Sequence, residues 1–385
     1  MLKSLVFRAV AGMLIAGCGI NEVTVEIKGG DGRKLRLDAD DLEFKFNRLV
    51  DAGTFSFKEL QSGTYKTSVV AGNYHETKEL QLEPAPITGV DNYSLVFEIP
   101  QGSNTSFERR GTIVYASTKT NVRNWDLFSI KADGSELRQL TATPEFEQHP
   151  AWSPDGRKVT FTRGDVMTNF DIYVMDEDGS EVQRLTEHAE RDERATWSPD
   201  GKTIAFVSQR NGVVEIWLMD ADGSNKRKLI QGREPAWSPD SRKVAFVSGH
   251  YDGNDEIYLI NVDGSNRQRL TDNNKFDWFP AFSPDGGRLA FCSERFGGQE
   301  LMLMKNRGDA QTRITIAEKT YEVEPAWSPD GKGLVYSGKM DRDYDIYIME
   351  TSGFDIDDVE VPSGLPINLT DSADRDEKSP DWRPF

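Results

Sequence analysis

Cysteine and histidine are scarce in this sequence of 385 residues, which holds two cysteines and four histidines. Cys18 lies near the amino terminus and Cys292 lies in a predicted strand, so the two do not indicate a disulfide framework. We expect Cys292 to be a small core residue. The histidines show no metal-ligand spacing such as His-x-x-x-His, so the sequence predicts no metal site.

Motifs of the common catalytic and cofactor sites are also missing from the sequence. There is no Gly-x-Ser-x-Gly nucleophile elbow, and no glycine-rich phosphate loop precedes a predicted helix. The stretch 252–255 (Asp-Gly-Asn-Asp) offers oxygen atoms but lacks the twelve-residue calcium pattern, which favours a hairpin. We therefore expect no catalytic residues, no cofactor and no enzymatic activity.

Basic residues are outnumbered in this chain. Lys and Arg together number 46 against 64 Asp and Glu, which gives a formal net charge of −18. A large negative charge disfavours binding to nucleic-acid phosphates, so no nucleic-acid partner is expected. Hydrophobic residues make up 37% of the chain and aromatic residues 10%, which indicates packed cores rather than disorder.

The first residues have the layout of a secretory signal peptide, predicted to span 1–17. Lys3 and Arg8 supply positive charge, and the apolar stretch 9–16 that follows is too short for a permanent membrane helix. Residues 15–18 (Ile-Ala-Gly-Cys) resemble the bacterial lipobox. The alternative is an ordinary signal peptide in which Cys18 is incidental.

The lipobox resemblance implies cleavage before Cys18 and lipidation of that residue. The acyl chains would anchor the protein to a membrane through a tether at 18–22, because each buried methylene contributes about 0.8 kcal/mol. Gly19 and Ile20 lack the aspartate that marks retention in the inner membrane. The resemblance therefore implies the bacterial cell envelope, at the periplasmic or surface face of the outer membrane.

Residues 23–100 predict a small β-sandwich domain. Apolar residues alternate with polar ones over several short segments, as in Val23, Val25 and Ile27, and Gly-rich turns separate these segments. The stretches 57–65 and 71–74 resemble the carboxypeptidase regulatory or transthyretin-like sandwich, whose members act as spacers or adhesive modules. Residues 101–107 are small and polar, which indicates a linker.

An internal repeat dominates the remaining residues, 108–385. The segment 152–156 (Trp-Ser-Pro-Asp-Gly) recurs with small changes at residues 197, 237, 282 and 327, and a truncated copy begins at Trp382. A period of about 40 to 50 residues is typical of one four-stranded blade per repeat. Each copy predicts an aromatic strand, a Ser-Pro-Asp-Gly turn, and three further strands that include an Asp-Gly hairpin.

Counting copies predicts a six-bladed β-propeller. The first copy, which begins near Ile113, lacks its own aromatic strand, and the last copy is an orphan strand at Trp382. We expect the last strand to complete the first blade, because such closure removes the two free edges of an open array. The repeats resemble those of the TolB-type carboxy-terminal propeller, a WD40-like family of bacterial envelopes. That resemblance implies a protein of the periplasm.

Positions that differ between the six copies are the candidates for a binding site. The acidic residue that opens each third strand is present in every copy, so we interpret it as structural, with its carboxylate accepting hydrogen bonds in turns. The residue that precedes each aromatic strand varies and is predicted to lie in a loop at the channel mouth. These residues are His149, Arg194, Glu234, Phe279, Glu324 and Ser379.

Further charges lie nearby, among them Glu147, Asp192 and Glu322, and complete a ring of mixed charge. Such a ring could bind a peptide terminus, an anion or a cation. The alternative is a solvated channel mouth, since exposed charges usually face water.

The resulting hypothesis is a lipid-anchored envelope propeller that binds a protein or peptide partner and is a monomer. One alternative is a polysaccharide lyase or hydrolase with its site in the channel, as in the oligogalacturonate lyases that share this repeat style and use channel histidines and a metal. Only His149 falls at a suitable position for such chemistry. Another alternative is a spacer without a specific ligand.

Overall fold

A computed structural model describes the backbone of seven amino-terminal strands, and then residues 109–119, 122–165, 169–250, 253–315, 321–339, 343–351, 366–370 and 375–383. The predicted signal peptide, Cys18 and the linker at 101–107 lie outside these residues. Contacts divide the chain into one unit of residues 1–107 with 363–365 and a second of residues 108–362 with 366–385. Within the described residues, no helix has the length and hydrophobicity of a membrane span.

The first unit contains two sheets. Strand β1 lies between β4, which is antiparallel to it, and β7, which is parallel to it, while the second sheet has the order β3-β2-β5-β6. Strand β1 begins at Ile20, inside the predicted tether. The strands are β1 (Ile20–Lys28), β2 (Arg33–Ala39), β3 (Phe44–Val50), β4 (Gly53–Leu60), β5 (Gly63–Ala71), β6 (Tyr74–Leu82) and β7 (Val90–Glu98).

The second unit is a β-propeller of six four-stranded antiparallel sheets, which confirms the predicted fold and blade number. Blade 1 contains β8 (Thr112–Lys119), β9 (Val122–Lys131), β10 (Arg138–Gln139) and β31 (Glu377–Trp382). Blade 2 contains β11 (Phe146–Trp152), β12 (Lys158–Asp165), β13 (Asn169–Asp176) and β14 (Gln183–Arg184). Blade 3 contains β15 (Asp192–Trp197), β16 (Thr203–Ser208), β17 (Glu215–Asp220) and β18 (Arg227–Gln231), with a 3-10 helix at Arg210–Gly212.

The remaining three blades repeat this arrangement. Blade 4 contains β19 (Arg233–Trp237), β20 (Lys243–Ser248), β21 (Glu256–Asn261) and β22 (Gln268–Arg269). Blade 5 contains β23 (Asp277–Phe282), β24 (Arg288–Ser293), β25 (Glu300–Lys305) and β26 (Thr312–Arg313). Blade 6 contains β27 (Tyr321–Trp327), β28 (Gly333–Lys339), β29 (Tyr344–Glu350) and β30 (Ile367–Asn368).

The last strand closes the ring, as the sequence predicted. Strand β31 is the innermost strand of blade 1 and pairs antiparallel with β8, with Trp382 opposite Ile113. The Trp382 side chain is 4% exposed, and its indole nitrogen donates a hydrogen bond to the Arg110 carbonyl at 2.9 Å. Blade 1 therefore joins the two ends of the propeller sequence, and neither end leaves a free inner edge.

The hydrophobic core lies between neighbouring blades. Each second strand buries one large aromatic side chain at the same position, and these are the largest fully buried side chains of the described residues: Tyr115, Phe161, Phe206, Phe246, Phe291 and Tyr336. Val247 of blade 4 packs in one cluster with Leu289 and Phe291 of blade 5. Both faces of a blade are covered in this way, so the strands are apolar on both sides. Cys292 is fully buried, which confirms its predicted core role.

The Ser-Pro-Asp-Gly turns form as their residue types predict. In the first copy, the Ser153 hydroxyl donates to Asp155 Oδ1 at 2.6 Å and accepts the Lys158 amide at 2.9 Å, which closes the turn. Gly156 takes a φ of 66°, in the left-handed region that favours glycine. The Ser153 hydrogen bond lowers the pKa of Asp155.

The acidic residues of the third strands are structural, and a predicted hydrogen bond from a loop is found at Glu256, which accepts the Asn273 amide at 2.9 Å. They accept from side chains of the short fourth strand, as when Arg184 donates to Asp171 at 2.6 Å. The threonine that follows the fourth strand also binds the third strand, because the Ile172 amide donates to Thr186 Oγ1 at 2.9 Å. The fourth strand has only two ladder residues in most blades, so side chains complete its attachment.

Candidate functional site

The six variable residues lie inside the innermost strands and not in a loop before them, which corrects the prediction. The pairing of the first two strands shifts register at this point in each blade, for example between Gln148 and Ala151, which marks a β-bulge. All six residues take a left-handed backbone conformation with φ between 51° and 57°: His149, Arg194, Glu234, Phe279, Glu324 and Ser379. Non-glycine residues rarely adopt it, and here it directs all six toward the central channel.

The six bulge residues border two cavities, one on each side of them. The first, the mouth cavity, has a volume of about 460 Å³ and is also lined by Gln148, Trp125, Trp278, Tyr344 and Lys378. The second, the proline vestibule, has a volume of about 720 Å³ and is lined by the Pro, Ala and Trp residues that follow the bulges. Both volumes lie in the usual range for ligand sites, about 300 to 1,000 Å³.

An ion pair crosses the channel at the level of the bulges. Arg194 of blade 3 and Glu324 of blade 6, which lie opposite each other in the ring, approach to 3.2 Å between Nη1 and Oε1. The guanidinium also lies 5.3 Å from the centre of the Phe279 ring. Burial acts to lower the pKa of Arg194, but the carboxylates of Glu324 and Glu234 outweigh it and raise that pKa. Both residues border both cavities, so the pair lies at the level where the two cavities meet.

The two glutamates of the ring also bind the backbone of the neighbouring blade. The Phe279 amide donates to Glu234 Oε2 at 2.9 Å, and the Ser379 amide donates to Glu324 Oε2 at 2.9 Å. Burial raises the pKa of Glu234, and the Arg194 charge opposes this rise. Because both carboxylates already have partners inside the protein, they are less available to a ligand than the basic groups of the mouth.

One side of the mouth cavity carries the positive charge of Lys378. The Lys378 ammonium lies 4.0 Å from the centre of the Tyr344 ring and has no ion pair among the described residues. His149 Nδ1 is buried and has no hydrogen-bond partner there. Burial first, and then Arg194, Arg191 and Lys378, lower the pKa of His149 well below its usual value, so the imidazole is neutral. This side of the cavity can accept a negatively charged group.

A set of buried carboxylates lies behind the innermost strands, and it includes three residues that the sequence placed at the channel mouth. They lie two residues before the bulge in five of the six blades and are fully buried: Glu147, Asp192, Asp277, Glu322 and Glu377. Arg163 pairs with Glu147 at 2.6 Å and Arg295 with Asp277 at 2.5 Å. Glu147, Asp192 and Glu322 are therefore internal supports and not mouth charges. Their constant spacing from the bulge was the signal.

Asp381 is an exception in the proline vestibule. Its position, two residues after the bulge, is filled by small residues in the other blades: Ala151, Thr196, Ala236, Ala281 and Ala326. Asp381 Oδ2 accepts the main-chain amide of Trp152 at 2.6 Å. Burial raises the pKa of Asp381 to about 6, and only the amides of Trp152 and Trp382 oppose it.

Replacing Asp381 with alanine should stabilise the protein at pH 8. A folded pKa of about 6 exceeds the unfolded value of 3.8, so the ionised carboxylate destabilises the native state. That shift corresponds to about 3 kcal/mol, and the lost Trp152 hydrogen bond offsets about 1 kcal/mol of it. Urea unfolding at pH 8 should therefore show a gain in Asp381→Ala that shrinks as the pH falls below about 6 and is lost near pH 4, where the carboxyl is protonated in both the folded and the unfolded state. An equal gain in stability at both pH values would contradict a raised pKa for Asp381.

Comparison with known proteins identifies the family to which the repeats are similar. The TolB beta propeller domain model matches residues 105–233 and 230–361. TolB from Acinetobacter baumannii is 19% identical, with 85% of this chain and 81% of that chain covered and a TM-score of 0.62. A putative TolB from Agrobacterium tumefaciens is 20% identical, with 71% and 99% covered and a TM-score of 0.54. At these identities the structural likeness establishes the fold alone. No curated protein matches this sequence.

Proposed function

The chain belongs to the TolB beta propeller domain family, and from this we propose that it is a binding scaffold of the bacterial cell envelope. The mouth cavity is its binding site, and a segment of a protein or peptide partner is its ligand. The observation that carries the proposal is that the six residues which differ most between blades meet around one channel. Positions that maintain the blade fold have similar residues in every blade. A function specific to this chain therefore requires positions whose residues differ between blades.

The lining of the mouth cavity suits such a ligand. Trp125, Trp278 and Tyr344 offer aromatic surface, and Trp278 stacks on the exposed Phe276 with their ring centres 5.5 Å apart. Aromatic side chains with a polar surround are enriched at the centres of protein interfaces. The Lys378 ammonium adds a positive charge that favours a partner with an acidic group.

The proposal includes an anchor and a spacer. Lipidated Cys18 would tether the chain to the outer membrane, and strands β1–β7 would form a β-sandwich that carries the propeller. Both rest on the sequence patterns of residues 1–18 and 23–100. The expected state is a monomer without a cofactor or nucleic-acid partner.

Changing the wall of the mouth cavity should abolish partner capture. Trp278 and Lys378 each precede a bulge, where blade 2 has Gln148, so Trp278→Gln and Lys378→Gln introduce a residue that the fold already accepts. Cross-linking of the full chain in envelope membranes, followed by mass spectrometry, should show at least a tenfold loss of captured partner in Trp278→Gln, because a central aromatic anchor contributes about 2 kcal/mol or more.

Leu137→Ala serves as the matched control, because Leu137 is 58% exposed and does not line the cavity. Capture by this variant should equal that of the parent. Cys18→Ser in the same experiment should move the protein to the soluble fraction. Equal capture by the parent and both mouth variants would overturn the proposed site.

The alternative of a channel lyase or hydrolase gains no support from the site. Among the described residues, no group of three or more His, Cys, Asp or Glu side chains could hold a metal ion. His149 is the sole histidine of either channel cavity in that part of the chain. We therefore propose a protein that binds rather than catalyses.

A further inference from the structure

The proline vestibule repeats one pattern around the ring and departs from it once. Five innermost strands place Ala or Thr two residues after the bulge, between a Pro or Ala and an aromatic residue, and β31 places Asp381 there. The blade does not require a carboxylate at this position, because five other blades form without one. The hydrogen bond from the Trp152 amide gives Asp381 a contact with blade 2, but blade formation alone gives no reason for a charge here.

The Asp381 carboxylate has no counter-ion among the described residues. No lysine or arginine forms a salt bridge with it, and its hydrogen bonds come from two main-chain amides, that of Trp152 at 2.6 Å and that of Trp382. A carboxylate taken out of water without a cation is costly, and burial accordingly raises the pKa of Asp381 to about 6. The ionised Asp381 carboxylate therefore destabilises the native state unless a bound cation pairs with it.

The surroundings of Asp381 select the kind of cation. Beyond the bulge residues that border it, including the paired Arg194 and Glu324, the vestibule walls are mostly proline, alanine and aromatic side chains, among them the half-buried Trp197 and Phe282. A hard metal ion needs several oxygen ligands, whereas the other carboxylates of the lining, Glu234 and Glu324, already have partners inside the protein. An organic amine fits both the carboxylate and the apolar walls. Its ammonium group can pair with Asp381 and is attracted to aromatic faces, and its hydrocarbon part is removed from water.

We propose that the proline vestibule is a second binding site, which takes a small organic amine whose ammonium group pairs with Asp381. The site lies on the other side of the Arg194–Glu324 pair from the mouth cavity. It differs from the partner site proposed above in its Pro, Ala and Asp381 lining, although the bulge residues border both cavities. The vestibule volume of about 720 Å³ accommodates a ligand of that size.

Ligand-observed NMR on the full chain tests the proposal with two matched probes, phenethylammonium and the neutral 2-phenylethanol. At pH 7.5 the amine should bind at least tenfold more tightly than the alcohol, because a hydrogen bond to a charged group contributes that much or more. Asp381→Ala should remove the preference. The preference should also fall toward pH 5, because the Asp381 carboxyl, with a pKa of about 6, becomes protonated while the amine stays charged.

Two further variants keep the test sharp. Ala236 holds the position equivalent to Asp381 in blade 4, so Ala236→Asp added to Asp381→Ala should restore the preference for the amine. Trp278→Gln, which changes only the mouth cavity, should leave amine binding unchanged. Equal binding of the two probes, an amine preference that survives Asp381→Ala, or no binding of the amine would each overturn the second site.

Discussion

Removal of residues 379–385 should lower the melting temperature of the propeller by about 10 °C or more. The truncation deletes most of β31 and the buried Trp382, whose loss alone corresponds to about 3–5 kcal/mol. It also removes the Glu324 hydrogen bonds from Ser379 and exposes β8 as a free inner edge. For a domain of this size about 1 kcal/mol corresponds to about 2 °C. Differential scanning calorimetry measures the change.

Two comparisons separate ring closure from the loss of any seven residues. Trp382→Phe keeps an aromatic ring, as Phe282 does in blade 5, but removes the indole hydrogen bond to Arg110 and part of the buried ring, so we expect a loss of about 1–2 kcal/mol. A synthetic peptide of residues 375–385, added to the truncated protein, should restore part of the lost stability. A truncated protein that melts within a degree of the parent would show that β31 does not close the ring.

The architecture of the second unit was predictable because its signals are local and repeated. The aromatic residue, the Ser-Pro-Asp-Gly turn and the alternating second strand each follow from backbone preferences that hold in every copy. Trp382 then indicated the closure, because a lone copy of the innermost strand has one place to pair. The turn hydrogen bonds of Ser153 and Asp155 show these preferences realised.

The sequence predicted which six residues line the channel but not how the backbone arranges them. The bulge that turns His149 and Arg194 into the channel depends on the register between two strands, and register leaves no mark in residue type. The contact between Arg194 and Glu324 joins residues 130 positions apart, and only the ring of blades brings them together. Burial of the Glu147 set required the same knowledge, since charged residues are seldom fully buried.

The buried carboxylates explain how the innermost strands are held, and Asp277 gives the clearest test of their role. Asp277 is fully buried and accepts hydrogen bonds from Arg295 at 2.5 Å and from Asn273 at 2.8 Å. Asp277→Ala should therefore lower the free energy of unfolding by about 3–5 kcal/mol, because it leaves the largely buried Arg295 charge without its partner. Urea unfolding followed by tryptophan fluorescence measures the loss.

Blade 4 supplies the matched control for this variant. It has Gly232 where blade 5 has Asp277, and His250 where blade 5 has Arg295, so one blade of the ring already lacks both members of the pair. Asp277→Gly combined with Arg295→His should consequently be more stable than Asp277→Ala, although it removes more of the native contacts. A double variant as unstable as the sum of its single changes would show that the two residues contribute independently, and the carboxylate would then not act through its arginine.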